Sequence, residues 1–260
     1  MHPDQTDAPR QPTRPFLISF SGIDGAGKTT QIESLSSNLQ EQGFRVLRLS
    51  FWDDVAVWSK MRAGIGGAEE IGPTDTMAER PFSPKNNKHV RTWYLSAARA
   101  VMYTLDVARL QRLLRGELAR NADVIIFDRY IYDQIANIYS ESFATRGYAR
   151  ILLKQAPTPN LAFIVDASPD AAFARKPEYP LEFMHRNRKN FLLLRELAPQ
   201  LIIIPEGRAE DVRSDIYCHV SRSRLLDSGL PEEKTEVPGA SAVALPQSSC
   251  RVRNDPTASL

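Results

Sequence analysis

Apolar positions along the chain fall into short continuous runs separated by stretches of helical period. Phe16-Leu17-Ile18-Ser19-Phe20 predicts a strand, and Ile32, Leu35 and Leu39 then mark one stripe of a helix that Gly43 closes. Phe44 to Leu49 predicts a second strand, leading to Ser50-Phe51-Trp52-Asp53-Asp54 and a helix carrying Val55, Trp58 and Met61. From 64 to 84 no period persists among the Gly, Pro and acidic residues, so a loop is expected. Val90, Tyr94, Val101, Leu105, Leu110, Leu113 and Leu114 predict one long helix from about 88 to 120. Residues 123–128, 161–165 and 201–204 are continuous apolar runs of the kind buried in parallel sheets. Helices are expected between them: one with Ile131, Ile135 and Ile138, a short one opened by Ser168-Pro169-Asp170, and one over 181–197. Another closes the domain near Ser223. Strands alternating with helices mean an α/β fold with a parallel sheet.

The chemistry enters between the first strand and its helix. Gly22, Gly27, Lys28 and Thr29 satisfy G-x-x-x-x-G-K-[ST], and a strand before with a helix after is the context that pattern needs. In Gly22-Ile23-Asp24-Gly25-Ala26-Gly27-Lys28-Thr29-Thr30 the small residues let successive backbone N–H groups point at a phosphate, at the positive end of the helix. Lys28 is placed to reach the β- and γ-phosphates, and the Thr29 hydroxyl to ligate Mg²⁺. The chain is therefore read as a user of a nucleoside triphosphate. Asp128 closes the strand Val124–Phe127 and is the natural second magnesium ligand, with Arg129 and Tyr130 directly after it. Asp53 and Asp54 stand at a strand's carboxyl end, where open α/β sheets collect ligands; one of them could equally cap the helix that follows. Arg99 follows the small residues Ser96, Ala97 and Ala98, which leave room for a ligand. Arg175-Lys176-Pro177, with Arg186, Arg188 and Lys189 beyond, reads as a lid near 175–189.

Composition narrows the classes. Of 260 residues 42% are apolar, which suits one core plus polar ends: a leader over 1–14, a domain over 15–225 and a tail over 226–260. A net charge of +2 gives no bulk electrostatic case for nucleic acid or a membrane surface, and no run reaches the length of a membrane span. Cys218 and Cys250 lack metal-ligand spacing and do not suggest a disulfide framework; a reducing, cytoplasmic setting is expected.

These residues resemble the thymidylate kinase family of nucleoside monophosphate kinases over roughly 15–222. The resemblance rests on Phe20 to Gln31, Ser96-Ala97-Ala98-Arg99, Val124 to Tyr130, Ile164-Val165-Asp166 with Pro169 and Arg175, and the last apolar strand. It implies a P-loop NTPase fold, three-layered α/β/α, with a five-stranded parallel sheet and helices on both faces. It also implies transfer of the ATP γ-phosphoryl to a pyrimidine nucleoside monophosphate, above all dTMP, and allows a homodimer paired through helices. Carried over, Asp24 approaches the acceptor's 3′-hydroxyl, Arg99 and Arg129 bind its base and phosphate region, and Arg208 lies near the adenine. Position 25 is Gly where some members carry a cation, so Arg175 or Lys176 is expected to supply it. Two positions depart from the family pattern. Phe51-Trp52-Asp53-Asp54 has no arginine for the acceptor phosphate, and Leu95 replaces the aromatic that stacks on thymine, leaving Tyr94 or Trp93 to substitute. The carboxylates instead resemble deoxynucleoside kinases, where Asp53 would be the base for a 5′-hydroxyl. A non-catalytic nucleotide-binding regulator is the third reading; Asn87-Lys88-His89-Val90 lacks the aspartate that guanine recognition needs.

Overall fold

The computed structural model describes residues 14–56, 88–138, 143–223 and 225, and for 88–99 and 117–118 the backbone alone. The expected leader, the helix beyond Val55, the loop over 64–84 and the tail lie outside the described residues.

Five strands form one sheet in the order β2-β3-β1-β4-β5, every pair parallel: β1 (Phe16–Ser21), β2 (Val46–Ser50), β3 (Val124–Asp128), β4 (Leu161–Val165) and β5 (Leu201–Ile204). Burial is deepest in two inner strands: all of β4 and the first four residues of β3 are buried. Register places Phe20 beside Asp128 on one side and Phe163 on the other. The carboxyl ends of β1, β3 and β4 thus sit together where the strand order reverses, the usual place for a ligand in an open α/β sheet.

Right-handed crossovers set the layers. The β1-to-β2 connection carries α1 (Lys28–Glu41) in one direction along the sheet. The later connections run the other way, carrying α2 (Lys88–Arg115), the single turn α3 (Glu117–Arg120), α4 (Ile131–Ile138), α5 (Phe143–Gln155), α6 (Pro169–Arg175) and α7 (Leu181–Leu193). The closing helix α8 (Ala209–Ser221) returns to α1, where Ser34 and Tyr217 pair at 2.9 Å and Gln31 Nε2 donates to the Ala209 carbonyl at 3.0 Å.

Several boundaries differ from expectation for local reasons. The long helix stops at Arg115 because Gly116 interrupts it, its N–H turning back to the Leu113 carbonyl at 3.0 Å. Phe51–Val55 is a single π-helical turn, and Asp54, rather than Asp53, stabilises its start by accepting the Ser50 N–H at 2.7 Å. A separate helix, α5, fills the polar stretch before the Pro157-Thr158-Pro159 turn, and 181–197 ends in a 3-10 turn at Leu194–Glu196. Gly43 closes α1 at φ 86°, as its position suggested. Cys218 is disulfide-bonded, which corrects the expectation of unpaired thiols.

His219 on α8 packs edge-on to Phe163, and burial holds its imidazole below the usual 6.5, with Arg222 adding to the effect and Asp215 opposing it. The unfolded chain then takes up this proton first as pH falls. Stability should drop as pH passes down through 6.5 toward the folded value, and His219→Gln should remove that part of the loss. Urea midpoints at neutral pH and about pH 5 check it.

Candidate active site

The loop from Gly22 to Gly27 leaves β1 through three backbone positions that favour glycine. Gly22, Gly25 and Gly27 all have positive φ, at 138°, 77° and 88°. At Gly22 a Cβ would sit 2.5 Å from the Val165 carbonyl oxygen at the end of β4, and at Gly25 2.5 Å from the Ala172 carbonyl oxygen on α6. The second contact explains the absence of a cation at position 25: helix α6 occupies the space its side chain would need. Gly25→Ala should lower stability by about 1–3 kcal/mol and also slow turnover by displacing the loop; a thermal melt beside a rate assay measures both.

Gly27 opens α1, so Lys28 and Thr29 stand in its first turn, Thr29 and Thr30 exposed and Lys28 buried. Lys28 Nζ donates to the Gly22 and Ile23 carbonyls, each at 2.8 Å, and so closes the loop around itself. Burial lowers its pKa to about 8, with Arg129 adding to the effect and Asp133, Asp24 and Asp128 opposing it. A phosphate arriving here supplies the negative charge this ammonium lacks.

Arg129 follows β3 in a left-handed backbone conformation, φ 65°, uncommon for a residue with a side chain. Its N–H donates to the Phe20 carbonyl at 2.8 Å, tying it to the end of β1. The guanidinium pairs with Asp24 of the loop and lies 3.5 Å from Asp133 Oδ1. Burial opposes the Arg129 charge; Asp133, Asp24 and Asp128 outweigh it and hold the guanidinium above its ordinary pKa. Burial likewise pushes the Asp133 carboxyl up against the pull of Arg129 and Lys28. The result is a compact set of two cations, Lys28 and Arg129, and three carboxylates, Asp24, Asp128 and Asp133, at the joined ends of β1 and β3. Asp133 was not among the residues singled out in the sequence. Its signal there was a lone carboxylate three places beyond Tyr130, between the apolar Ile131 and Ile135.

Comparison with known proteins identifies the arrangement. No protein-family model matches the chain. A probable thymidylate kinase of Sulfolobus acidocaldarius is 31% identical over 163 residues, covering 62% of this chain and 68% of that protein. The chain belongs to the thymidylate kinase family. A thymidylate kinase of Dinoroseobacter shibae is 29% identical over 235 residues, covering 81% of this chain and 98% of its own length. Among solved structures, thymidylate kinase from Ehrlichia chaffeensis has the same fold, with a TM-score of 0.52 at 18% identity over 80% of this chain and 99% of that one. This is the five-stranded, doubly covered sheet expected from the sequence.

Within this family member the remaining candidates are dispersed. Asp53 is exposed at the end of β2, while its neighbour Asp54 is engaged with the Ser50 N–H. Asp128 is partly exposed at the end of β3, in register with Phe20 just before the loop. Tyr94 and Arg99 belong to α2, and their side chains lie outside the described residues. Arg175 is exposed at the end of α6, its Nε donating to the Ala171 carbonyl at 3.1 Å, and Lys176 pairs with Glu178 at 3.0 Å. Arg188, inside the expected lid, grips Asp166 just past β4 through two bonds of 2.7 Å. Arg208 is exposed and held by Asp211 at 3.0 Å. Among the described residues no helix is long and apolar enough to cross a membrane.

Proposed function

We propose that this protein transfers the γ-phosphoryl of ATP to thymidine 5′-monophosphate, giving thymidine diphosphate and ADP, by direct in-line displacement. The observation that carries the proposal is the pair of cations, buried Lys28 on the loop and half-buried Arg129 just after β3, set around the same carboxylates. An acceptor that is already an anion needs cations, whereas a hydroxyl acceptor gains from a base.

On this reading the ATP phosphates take the place of the Gly22 and Ile23 carbonyls as acceptors for Lys28 Nζ, while the loop amides from Gly25 to Thr30 hold the β-phosphate. Arg129 receives the acceptor phosphate, for which its planar fork is suited. Asp24 turns to the acceptor's 3′-hydroxyl, Arg99 and Tyr94 to its base, and Arg208 to the adenine of ATP. Arg175, or Lys176 beside it, closes from the lid onto the transferring group. Thr29 and Asp128 are hard oxygen donors and suit Mg²⁺. Among the described residues no cluster of three His, Cys, Asp or Glu side chains could hold a metal by itself, so the nucleotide's own oxygens would complete the ion's shell. When bound, the ion neutralises charge on the β- and γ-phosphates.

The nucleoside-kinase reading has less support: the carboxylate it needs, Asp53, is exposed, and Asp54 is engaged as a turn cap. A homodimer is the assembly this reading expects; Val101 and Leu105, one turn apart on α2 and 60% and 42% exposed, offer it an apolar strip. A coupled ADP-release assay over thymidine, deoxycytidine and their monophosphates tests the function. Turnover with dTMP and none with thymidine is the expected result; the reverse would overturn it.

A further inference from the structure

We infer that Asp133 is a positioning residue, the permanent anchor of Arg129, and that Asp24 is the partner an acceptor phosphate displaces. This rests on the reading that Arg129 receives a monophosphate. The two carboxylates share one guanidinium, and their surroundings differ. Asp133 has a side chain 2% exposed, on α4; Asp24, at 14%, sits on the phosphate loop.

Asp133 also does two things at once. Its Oδ2 accepts the Tyr130 N–H at 3.0 Å, and its Oδ1 faces Arg129 Nη1 at 3.5 Å. It thereby fixes the main chain directly after the left-handed Arg129 and the end of that residue's side chain. An unfavourable backbone conformation persists only where its neighbours over-determine it. The Arg129 N–H bond to Phe20 pins one side of the residue, and Asp133 pins the other. Withdrawing the guanidinium from Asp133 would leave a fully buried carboxylate with only Lys28 as counter-charge, which is strongly unfavourable. Withdrawing it from Asp24 frees a group that water or a sugar hydroxyl can meet. A dianionic phosphate therefore exchanges with Asp24 and leaves the Asp133 bond in place. The same exchange releases Asp24 for the acceptor's sugar, so phosphate and sugar recognition become one event.

The two carboxylates then have opposite effects on an acceptor that lacks the sugar contact, 2′,3′-dideoxythymidine 5′-monophosphate. Asp24→Asn removes a competitor for Arg129 and should tighten binding of this probe, measured calorimetrically. Asp133→Asn keeps an acceptor for the Tyr130 N–H but loses the charge, and should weaken it about tenfold or more. With dTMP, Asp133→Asn should raise the acceptor KM by a similar factor while the ATP KM moves less than about threefold. In an Arg129→Ala background it should add nothing further, as expected of two residues acting through one contact. Asp133→Ser, whose hydroxyl can also accept the Tyr130 N–H, gives the same readings if the asparagine variant folds poorly. Weakening by both carboxylate substitutions alike, or an Asp133 effect that survives in full without Arg129, would overturn the inference. A wild-type enzyme that phosphorylates thymidine and ignores dTMP would instead overturn the monophosphate reading beneath it.

Discussion

Lys28→Met should abolish useful turnover, lowering kcat by about 10²–10³ or more, while leaving the fold intact or firmer. The loss follows from removing the only loop side chain that can follow charge onto the β- and γ-phosphates. The effect on the fold follows from the lysine's cost to it. A pKa lowered from 10.5 to about 8 means that the buried ammonium is disfavoured by an amount of order 3 kcal/mol relative to water. Methionine keeps the volume and removes that cost, while the two loop carbonyls lose their donor, so the balance should leave the melting temperature level or higher. The pH dependence supplies a sign check. Between about pH 8 and 10.5 the unfolded chain holds this proton more tightly than the folded one, so wild-type stability rises with pH across that window. The Met variant should lack that rise. Native-like turnover by Lys28→Met at saturating ATP would remove the loop from the mechanism.

Arg129→Ala and Asp53→Asn separate the two kinase readings. With a monophosphate acceptor, losing Arg129 removes charge-assisted bonds to a dianion and leaves Asp133 buried with a single counter-charge; kcat/KM for dTMP should fall by about 10²–10³. Asp53→Asn should change it less than about threefold, because an ionised phosphate has no proton to remove and Asp53 is exposed. With a nucleoside acceptor the ranking reverses, and Asp53→Asn carries a penalty of about 10²–10⁴. The measurement is kcat/KM for both variants on dTMP and on thymidine. Activity confined to thymidine and destroyed by Asp53→Asn would reverse the assignment.

What could be read ahead of the structure was what the chain encodes locally. The loop, the strand before it and Asp128-Arg129-Tyr130 are contiguous, and their order already implies that β1 and β3 end at one place. The continuous apolar runs of β3, β4 and β5 marked them as strands of a parallel sheet, without telling the inner ones from the edge strand β5. Features that depend on a distant partner stayed hidden. Nothing near Arg188 announces Asp166, twenty-two residues away, so a bidentate pair between them could not be read from the chain. Asp133 has the spacing of an ordinary helical carboxylate; beside the nearby Arg129 and Tyr130, its partners are Ser21 at the end of β1 and Lys28 at the start of α1, both more than a hundred residues away. Either Asp53 or Asp54 could cap the turn that follows β2 as far as the sequence goes; the turn geometry gives Asp54 the Ser50 N–H. The break at Gly116 was readable from the glycine itself, yet the apolar stripe on either side of it argued for one continuous helix.

The contact between Gly25 and Ala172 bears on how such enzymes can diverge. A loop-borne cation at position 25 and the present path of α6 compete for one volume, since a Cβ there would lie 2.5 Å from the Ala172 carbonyl oxygen. Moving α6 away to admit an arginine also moves Arg175 at its end. Acquiring one cation therefore disturbs the other, and the two placements are alternatives separated by a strained intermediate rather than steps along one mutational path. A side chain at position 25 therefore requires a compensating shift of the main chain at or near 172.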